Sequence, residues 1–590
     1  MNIVGISALY HESACCLLQD GRLSAAAMEE RFTRIKHDPR LPVHAFRYCL
    51  AAAGLTIADV DCIAWYELPQ KKLARQLWSV GSQPDAAETA HRNAALPEML
   101  IRERLGHTGP LLFFDHHRSH AASAFFYSGW DRAAVLTVDG VGEWATTTYG
   151  RGLDAALDLF EEVRFPHSLG LLYAALTAYL GFRINSDEYK VMGLAAYGEP
   201  RFADRIWRLI SDRPGGQFEL DMRYFDFVAG KSMFSPVLAD LLGQPPRQPH
   251  DSIESFHQDV AASVQHVLEA LLLRKVRYLH ERTGERRLCM AGGVALNSVA
   301  NGRIRREGPF DDLFIQPAAG DAGGCLGAAA LAHVQLTGRR PDTSLTHVLL
   351  GPQFDPDGVA RLVQATGPAA QDFRGRENAL LEDVVDRLVA GQVVGWFQGR
   401  MEFGPRALGA RSILADPTDP MARERINRLV KQRELFRPFA PSVLTDHAAA
   451  HFDLPHTSPF MLETCAVRSP LALPAITHVD GSARPQTVDA ATTPRFAALL
   501  RAFYRRTGCP MLLNTSFNQA GEPIVCTPAD ALFCFVNAGL DALVLEDWLF
   551  DRVAMPDNWP ELVAAWGSEP PVLADAASRS PLGENLYTFV

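Results

Sequence analysis

Two histidines four residues apart, His116 and His120, stand in the segment FFDHHRSHAASAFF. Ala121, Ala122 and Ala124 favour a helix there, and on a helix residues i and i+4 project from one face, so both imidazoles can reach a single metal ion. The same spacing serves the HExxH motif, but its glutamate is absent, which argues against zinc-peptidase chemistry. The spacing equally fits a helix N-terminus capped by Asp115 with its histidines in solvent. Two carboxylates add to the metal reading. Asp139 follows an apolar strand and precedes Gly140, and Asp321 stands in the glycine-rich PAAGDAGGCLGAA. Both are positions where α/β proteins place ligands, although each also fits a plain turn aspartate. Two histidines and two carboxylates without a thiolate suit Fe(II), Zn or Mn better than Cu(I).

A second chemistry is phosphate binding. MAGGVALN, with Gly292, Gly293 and Asn297, and AAGDAGGCLGAA, with Gly320, are glycine turns directly after strands. Such turns let backbone N–H groups and a helix N-terminus approach a phosphate, or simply allow tight packing. Neither is a Walker A loop, because no Gly-Lys-Ser/Thr follows. Further on, Arg406, Arg411, Lys431, Arg437 and Arg484 lie in Gly-, Pro- or Ser-rich surroundings. Arg437 in FRPFAPSV is set among Phe, Pro and Ala, where an unpaired guanidinium is expensive and a bound phosphate or carboxyl-type anion would satisfy it. Ion pairs with Glu402, Asp416 or Glu434 would do the same. Asn514, Thr515 and Ser516 offer short polar groups at the exit of the strand MLLN.

These residues need positioning elements. NIVGISALYHESACCLLQDGRLSAAAMEERF reads as strand, Tyr10-His11-Glu12-Ser13 turn, strand, Asp20-Gly21 turn, strand: an antiparallel meander at the edge of a mixed sheet. AAVLTVDGVGEWATTTYGRG begins a similar block. The two meanders predict an internally duplicated α/β domain of the actin-like ATPase kind. Residues 257–280 carry a helical apolar stripe. From about 335 to 375 the chain reads as a linker, and helix–strand alternation then runs to about 555. The expected division is 1–350, 351–560 and a peripheral tail, 561–590.

At 590 residues the chain is too long for one core. Its net charge of −11 argues against nucleic acid as a partner. No apolar run reaches the roughly 18 residues that span a bilayer, so no membrane partner is expected. The N-terminus lacks an export-signal pattern, and the ten cysteines are scattered without a CxxC pair, as in a reducing compartment. The expected location is cytoplasmic.

Several ordered motifs, GISALYHESA, EERFTRIKHD, DHHRSHAASA, TVDGVGE, NSDEYKVMGLAAYGEP, GGVALN, FQGRMEFGPRALGARSILADP and LLNTSFNQAGEPIV, resemble those of the NodU/CmcH-type O-carbamoyltransferases, which decorate nodulation factors and antibiotics. The resemblance spans nearly the whole chain. It implies an N-terminal actin-like ATPase (TsaD-like) domain followed by a YrdC-like α/β domain. The YrdC-like domain takes carbamoyl phosphate and ATP, with Mg for the nucleotide, and makes carbamoyl-adenylate. The first domain transfers the carbamoyl group to a hydroxylated small-molecule acceptor.

The resemblance also implies roles. His116, His120, Asp139 and Asp321 hold the metal, iron(II) ahead of Zn or Mn. His11 is the general base or orients the acceptor hydroxyl, and Lys190 and Glu188 line the transfer site. Independently of the resemblance, the two glycine turns put Gly292, Gly293, Asn297 and Gly320 at a nucleotide in this domain. Arg406, Lys431, Arg437, Arg484, Asn514 and Ser516 grip carbamoyl phosphate and ATP. A tRNA threonylcarbamoyl transferase and a non-catalytic nucleotide-binding regulator are the competing readings. The acceptor is not written in these motifs; its loops are expected near 66–110 and 210–255, and the assembly is a monomer or homodimer.

Overall fold

The computed structural model describes residues 1–80, 93–228, 232–366, 370–555 and 559, so the expected tail 561–590, and parts of both expected acceptor loops, lie outside the described residues. The chain forms two compact units. One holds Met1–Glu29 and His37–Leu345; the other runs on from Thr346 and includes the short segment Glu30–Lys36. Among the described residues no helix is long and apolar enough to cross a membrane.

The first unit contains the expected duplication. Strands β1 (Asn2–Ser7), β2 (Ala14–Gln19) and β3 (Arg22–Met28) form the predicted meander, and β4 (Cys62–Trp65) and β5 (Leu111–Phe113) extend it in parallel, giving the order β3-β2-β1-β4-β5. Asp20 and Gly21 both have positive φ, +47° and +83°, as the tight hairpin turn requires. The second sheet repeats the plan. Strands β6 (Arg132–Val138), β7 (Ala145–Leu153) and β8 (Ala156–Arg164) are a meander, the ribbon β9 (Ile210–Asp212) and β10 (Phe218–Leu220) stands apart, and β11 (Arg287–Ala291) and β12 (Asp312–Ile315) complete the order β12-β11-β6-β7-β8. In each half the first strand of the meander is central, pairs in parallel with a strand outside the meander, β1 with β4 and β6 with β11, and is buried along almost its whole length. The helices His116–Phe125 and Gly324–Thr337 pack closely: a Cβ on Gly327 would collide with the Ser119 carbonyl.

The long helix Ser255–Thr283 covers the predicted stripe and buries a lysine. Lys275 is 1% exposed, and its Nζ donates to the Tyr149 hydroxyl at 3.0 Å and the Gly216 carbonyl at 2.9 Å. Burial pushes it down to about 7, against the partial support of Glu161 and Asp212. An unfolded lysine keeps its proton to about pH 10.4, so between those values the unfolded chain binds a proton the folded one lacks, and stability rises with pH by up to about 1.4 kcal/mol per unit. Lys275→Met is expected to remove that slope, read as the difference between variant and wild type in urea unfolding across the window.

The second unit is built on one eight-stranded mixed sheet. In chain order its strands are β13 (Ala370–Asp372), β14 (Val394–Phe397), β15 (Arg411–Ala415) and β16 (Ala440–Leu444), then, after a two-residue ribbon of β17 (Cys465–Ala466) and β18 (Ser482–Ala483), β19 (Gln486–Val488), β20 (Met511–Ser516), β21 (Ala542–Leu545) and β22 (Trp548–Asp551). Their spatial order is β13-β22-β21-β14-β15-β20-β16-β19. The helices Glu377–Val389, Pro494–Thr507 and Pro528–Ala538 bury apolar faces in the same core as Trp396, Ile413 and Leu513. Two sequence expectations are corrected. The stretch read as a linker contains the helix Pro356–Thr366, with Pro at its first position, an Asp355 carboxylate accepting from the Gly358 N–H at 3.0 Å, and Val359, Ala360 and Val363 in the core. Segment 30–36 belongs to the second unit because its arginines bond that unit's carbonyls: Arg31 to Gly404 at 2.8 Å, Arg34 to Ile524 at 2.7 Å and Pro523 at 2.9 Å.

Candidate active site

His116 and His120 sit in the first turns of the helix His116–Phe125. Asp115 caps it, accepting from the Arg118 N–H at 3.2 Å, as the alternative reading held, yet both histidines are buried rather than in solvent. Asp139 leaves the C-terminal end of β6, and Asp321 opens the turn before the helix Gly324–Thr337. The four meet. Asp139 Oδ2 lies 3.1 Å from His116 Nε2 and 3.3 Å from His120 Nε2, and Asp321 Oδ1 lies 3.6 Å from each. All four donor atoms fall within 4.8 Å of one another and all four residues are buried.

The set fits a divalent metal ion on three counts. Nitrogen and oxygen donors converge on one point, and Asp321 Oδ2 is buried without a hydrogen-bond partner among the described residues. The charges also balance. Burial alone would lower His116, but the Asp321 and Asp139 carboxylates overcome it and raise it to about 9; His120 is raised against burial and the His116 charge by the same two carboxylates. A divalent cation would supply the positive charge that the two carboxylates draw to this point. His117 is different: its Nδ1 is 2.6 Å from the Thr137 hydroxyl, and burial holds it well below the ordinary histidine value.

The glycine turns serve this cluster. The Gly293 N–H donates to Asp139 Oδ1 at 2.8 Å, fixing the carboxylate. Gly292 has φ +93° and sits where a Cβ would collide with the Val138 carbonyl. A Cβ on Gly320 would lie 3.5 Å from Glu12 Oε2. Asn297 does something else: its side chain accepts from the Ala300 N–H at 3.0 Å, capping the helix Ser298–Glu307, and exchanges hydrogen bonds with Gln265.

His11 hydrogen-bonds through Nε2 to the Asn185 carbonyl. Burial opposes its charge, but Glu12, Asp321, the Asn185 carbonyl and Glu188 together raise its pKa. Glu188 accepts from the Asn185 N–H at 2.6 Å and so holds the residue that holds His11. Lys190 turns to Asp187, 3.2 Å away. Sequence reasoning missed His37, whose ring centroid is 4.9 Å from that of His11 and whose Nδ1 is 3.3 Å from Glu12. It also missed Tyr66, whose ring lies 5.2 Å from His116, and Glu143, which accepts the His116 N–H at 3.0 Å. Around His11 three non-glycine residues, Leu9, His37 and Asn185, hold left-handed backbone at φ +67°, +56° and +57°. Such strain concentrates at sites where geometry is imposed. In sequence the signal was faint, because only folding brings the three together.

The second unit gathers cations. Arg484 is half-buried, and its charge is disfavoured first by burial and then by the guanidinium groups of Arg406, Arg433 and Arg437. Arg437 Nη1 lies 3.9 Å from a Glu434 carboxylate oxygen. Glu402 spends one oxygen on the N–H groups of Leu408, Ala410 and Arg411, and Asp416 accepts from Thr418. Asn514 is buried, donating to the Ser442 hydroxyl at 2.9 Å, with no partner for Oδ1 among the described residues. Two expectations shift. Arg411, read with the anion-binding arginines, is structural: it donates to the carbonyls of Gln398, Ala410, Pro352 and Gly399 and stacks 3.5 Å from the Phe397 ring centroid. Lys431 is 3% exposed and its Nζ is bound to Ser516 and Asn518, at 2.5 Å to the Ser516 carbonyl and 2.7 Å to Asn518 Oδ1. It shapes the loop that presents Ser516.

The comparisons agree with this two-part layout. A family profile described as "Carbamoyltransferase N-terminus" matches residues 2–330, and one described as "Carbamoyltransferase C-terminus" matches 385–552. An uncharacterized protein of Synechocystis is 46% identical over 94% of this chain and 98% of its own length. The nodulation protein NolNO of Sinorhizobium fredii is 39% identical over 94% of this chain and 81% of its own. The 3'-hydroxymethylcephem-O-carbamoyltransferase of Amycolatopsis lactamdurans is 36% identical over 45% of this chain and 49% of its own. With both profiles matched in order and relatives aligned nearly end to end, the chain belongs to the carbamoyltransferase family and is a transferase enzyme.

Proposed function

We propose that the protein is an O-carbamoyltransferase that makes carbamoyl-adenylate in its second, YrdC-like unit and transfers the carbamoyl group to a hydroxyl of a small-molecule natural product in its first. The observation that carries this reading is the buried two-histidine, two-aspartate set beside His11. In the first reaction, water releases phosphate from carbamoyl phosphate, and a carbamate oxygen attacks the α-phosphorus of MgATP, expelling pyrophosphate. Arg406, Arg437 and Arg484, crowded together, are suited to the anionic substrates, and Ser516 and Asn514 to orienting them. The mixed anhydride with AMP is a far better electrophile than carbamate itself.

In the second reaction the acceptor oxygen bonds to the carbamoyl carbon, the bond to the phosphate oxygen breaks, AMP leaves, and the hydroxyl proton goes to a base. His11 Nε2–H donates to Asn185, so Nδ1 is the atom left to take that proton, and Glu12, 3.9 Å away, stabilises the imidazolium. Glu188 positions this pair through Asn185. When bound in the four-donor set, the metal, proposed to be iron(II), supplies Lewis acidity toward the phosphoryl group of the adenylate. The proposed setting is cytoplasmic tailoring of an antibiotic or related metabolite. The test is to incubate the protein with MgATP, carbamoyl phosphate and a panel of hydroxylated natural products and to screen by mass. One acceptor gaining a single carbamoyl group, with AMP released, is expected; AMP release that needs threonine and bicarbonate instead would overturn the reading.

A further inference from the structure

A second group of metal-ligating side chains lies outside the four-donor set. His11, Glu12 and His37 bring one donor atom each within 4.8 Å of one another. His11 and Glu12 stand in the turn between β1 and β2, and the stretch that carries His37 runs beside that turn. Two hydrogen bonds join the stretches: the Leu9 N–H donates to the Pro39 carbonyl at 2.7 Å, and the Ser13 hydroxyl to the Asp38 carbonyl at 2.9 Å. Glu12 Oε1 then stands between the two rings, 3.9 Å from His11 Nδ1 and 3.3 Å from His37 Nδ1.

Geometry and charge both suit an ion there. Zinc holds nitrogen and oxygen donors at about 2.1 Å in a tetrahedron, which sets the donors about 3.4 Å apart, and the two distances from Glu12 bracket that spacing. His11 presents the right lone pair, because its Nε2–H donates to the Asn185 carbonyl and Nδ1 faces Glu12. Burial opposes positive charge at His11, but Glu12, Asp321, the Asn185 carbonyl and Glu188 favour it, so a cation is welcome at this point. The side chains of His11, Glu12 and His37 are 25%, 16% and 27% exposed, which leaves an ion a way in. Glu12 turns its other oxygen toward the Asp321 turn, 3.5 Å from where a Gly320 Cβ would stand, so the two clusters adjoin.

We propose that His11 Nδ1, Glu12 and His37 Nδ1 form a second metal site, which takes zinc(II), and that zinc bound there inhibits the enzyme. Three protein ligands leave the fourth position of the ion to water. Each imidazole binds in its neutral form, so a proton it carries is released as zinc enters. The lone pair of His11 that holds zinc is the one that takes the acceptor's proton in the proposed transfer. The inhibition therefore rests on the transferase reading; the binding does not.

Titration of the full chain with zinc(II), read by competition with a chromogenic zinc indicator, tests the site. His120→Ala is the background, because it disables the four-donor set. One zinc ion is expected to bind in that background, and adding His37→Asn should weaken it by at least about tenfold, as loss of a ligand does. Asparagine tolerates the left-handed φ of +56° at this position, so the fold should hold, with a thermal midpoint near that of the background. Glu12→Gln keeps the side chain's shape, removes its charge, and should weaken zinc as well. A His120→Ala chain that takes no zinc, or takes it equally well after either substitution, overturns the proposal. In the iron-loaded wild type, zinc should stop carbamoyl transfer, whereas His37→Asn alone should transfer normally and resist zinc; equal sensitivity of the two overturns the inhibition. The titration needs no turnover, so it can fail while carbamoyl-phosphate-dependent pyrophosphate exchange still supports the transferase reading, and the reverse.

Discussion

His120→Ala is expected to empty the metal site and stop carbamoyl transfer while leaving adenylate formation intact. The imidazole it removes is one of four donors within 4.8 Å of one another. Loss of a hydrogen-bonding partner behind a metal ligand already costs roughly 10–100-fold in affinity or activity, so loss of a ligand itself should exceed the upper end of that range. Metal content by mass spectrometry and product yield should fall together. His117→Ala is the comparison that separates ligation from packing. His117 is equally buried but bonded to the Thr137 hydroxyl, so this variant should lose stability and keep its metal.

Arg484→Met is the second large effect, and it points in two directions at once. The guanidinium is crowded by Arg406, Arg433 and Arg437, and burial disfavours its charge further. Removing it relieves like-charge repulsion, so the thermal midpoint should hold or rise. Removing a preorganised donor to developing negative charge typically costs about 10²–10³ in rate, so carbamoyl-phosphate-dependent pyrophosphate exchange should fall by that order. A stabilised chain with a disabled first step is the pattern of a functional cation held at the expense of stability. A variant that lost both stability and exchange would mark Arg484 as structural instead.

The sequence showed much of this site because its signals are local. The i,i+4 spacing of His116 and His120 survives folding unchanged, and Asp139 and Asp321 were legible as residues at strand ends. The duplicated meanders were legible too, since alternating apolar strands and the Asp20-Gly21 turn are set by nearest neighbours. What stayed hidden depends on distant partners. Tyr66 falls in a stretch without pattern, and only its packing against Gly324 and His116 makes it a neighbour of the cluster. Arg411 had the same surroundings in sequence as Arg406, yet four carbonyls accept from its two terminal nitrogens. Asn297 follows a glycine turn as a phosphate ligand would, but a helix start needed its side chain more. Segment 30–36 joins the second unit through contacts hundreds of residues away, such as Arg34 with Ile524.

The central claim is that one chain holds two separate chemistries, a cationic site that makes an anhydride and a metal-bearing site that spends it. Exchange of labelled pyrophosphate into ATP, driven by carbamoyl phosphate and measured beside product formation before and after the transition metal is chelated in excess magnesium, tests it directly. Exchange should continue undiminished while product formation stops. Exchange and product formation lost together, in the same proportion, would contradict the account.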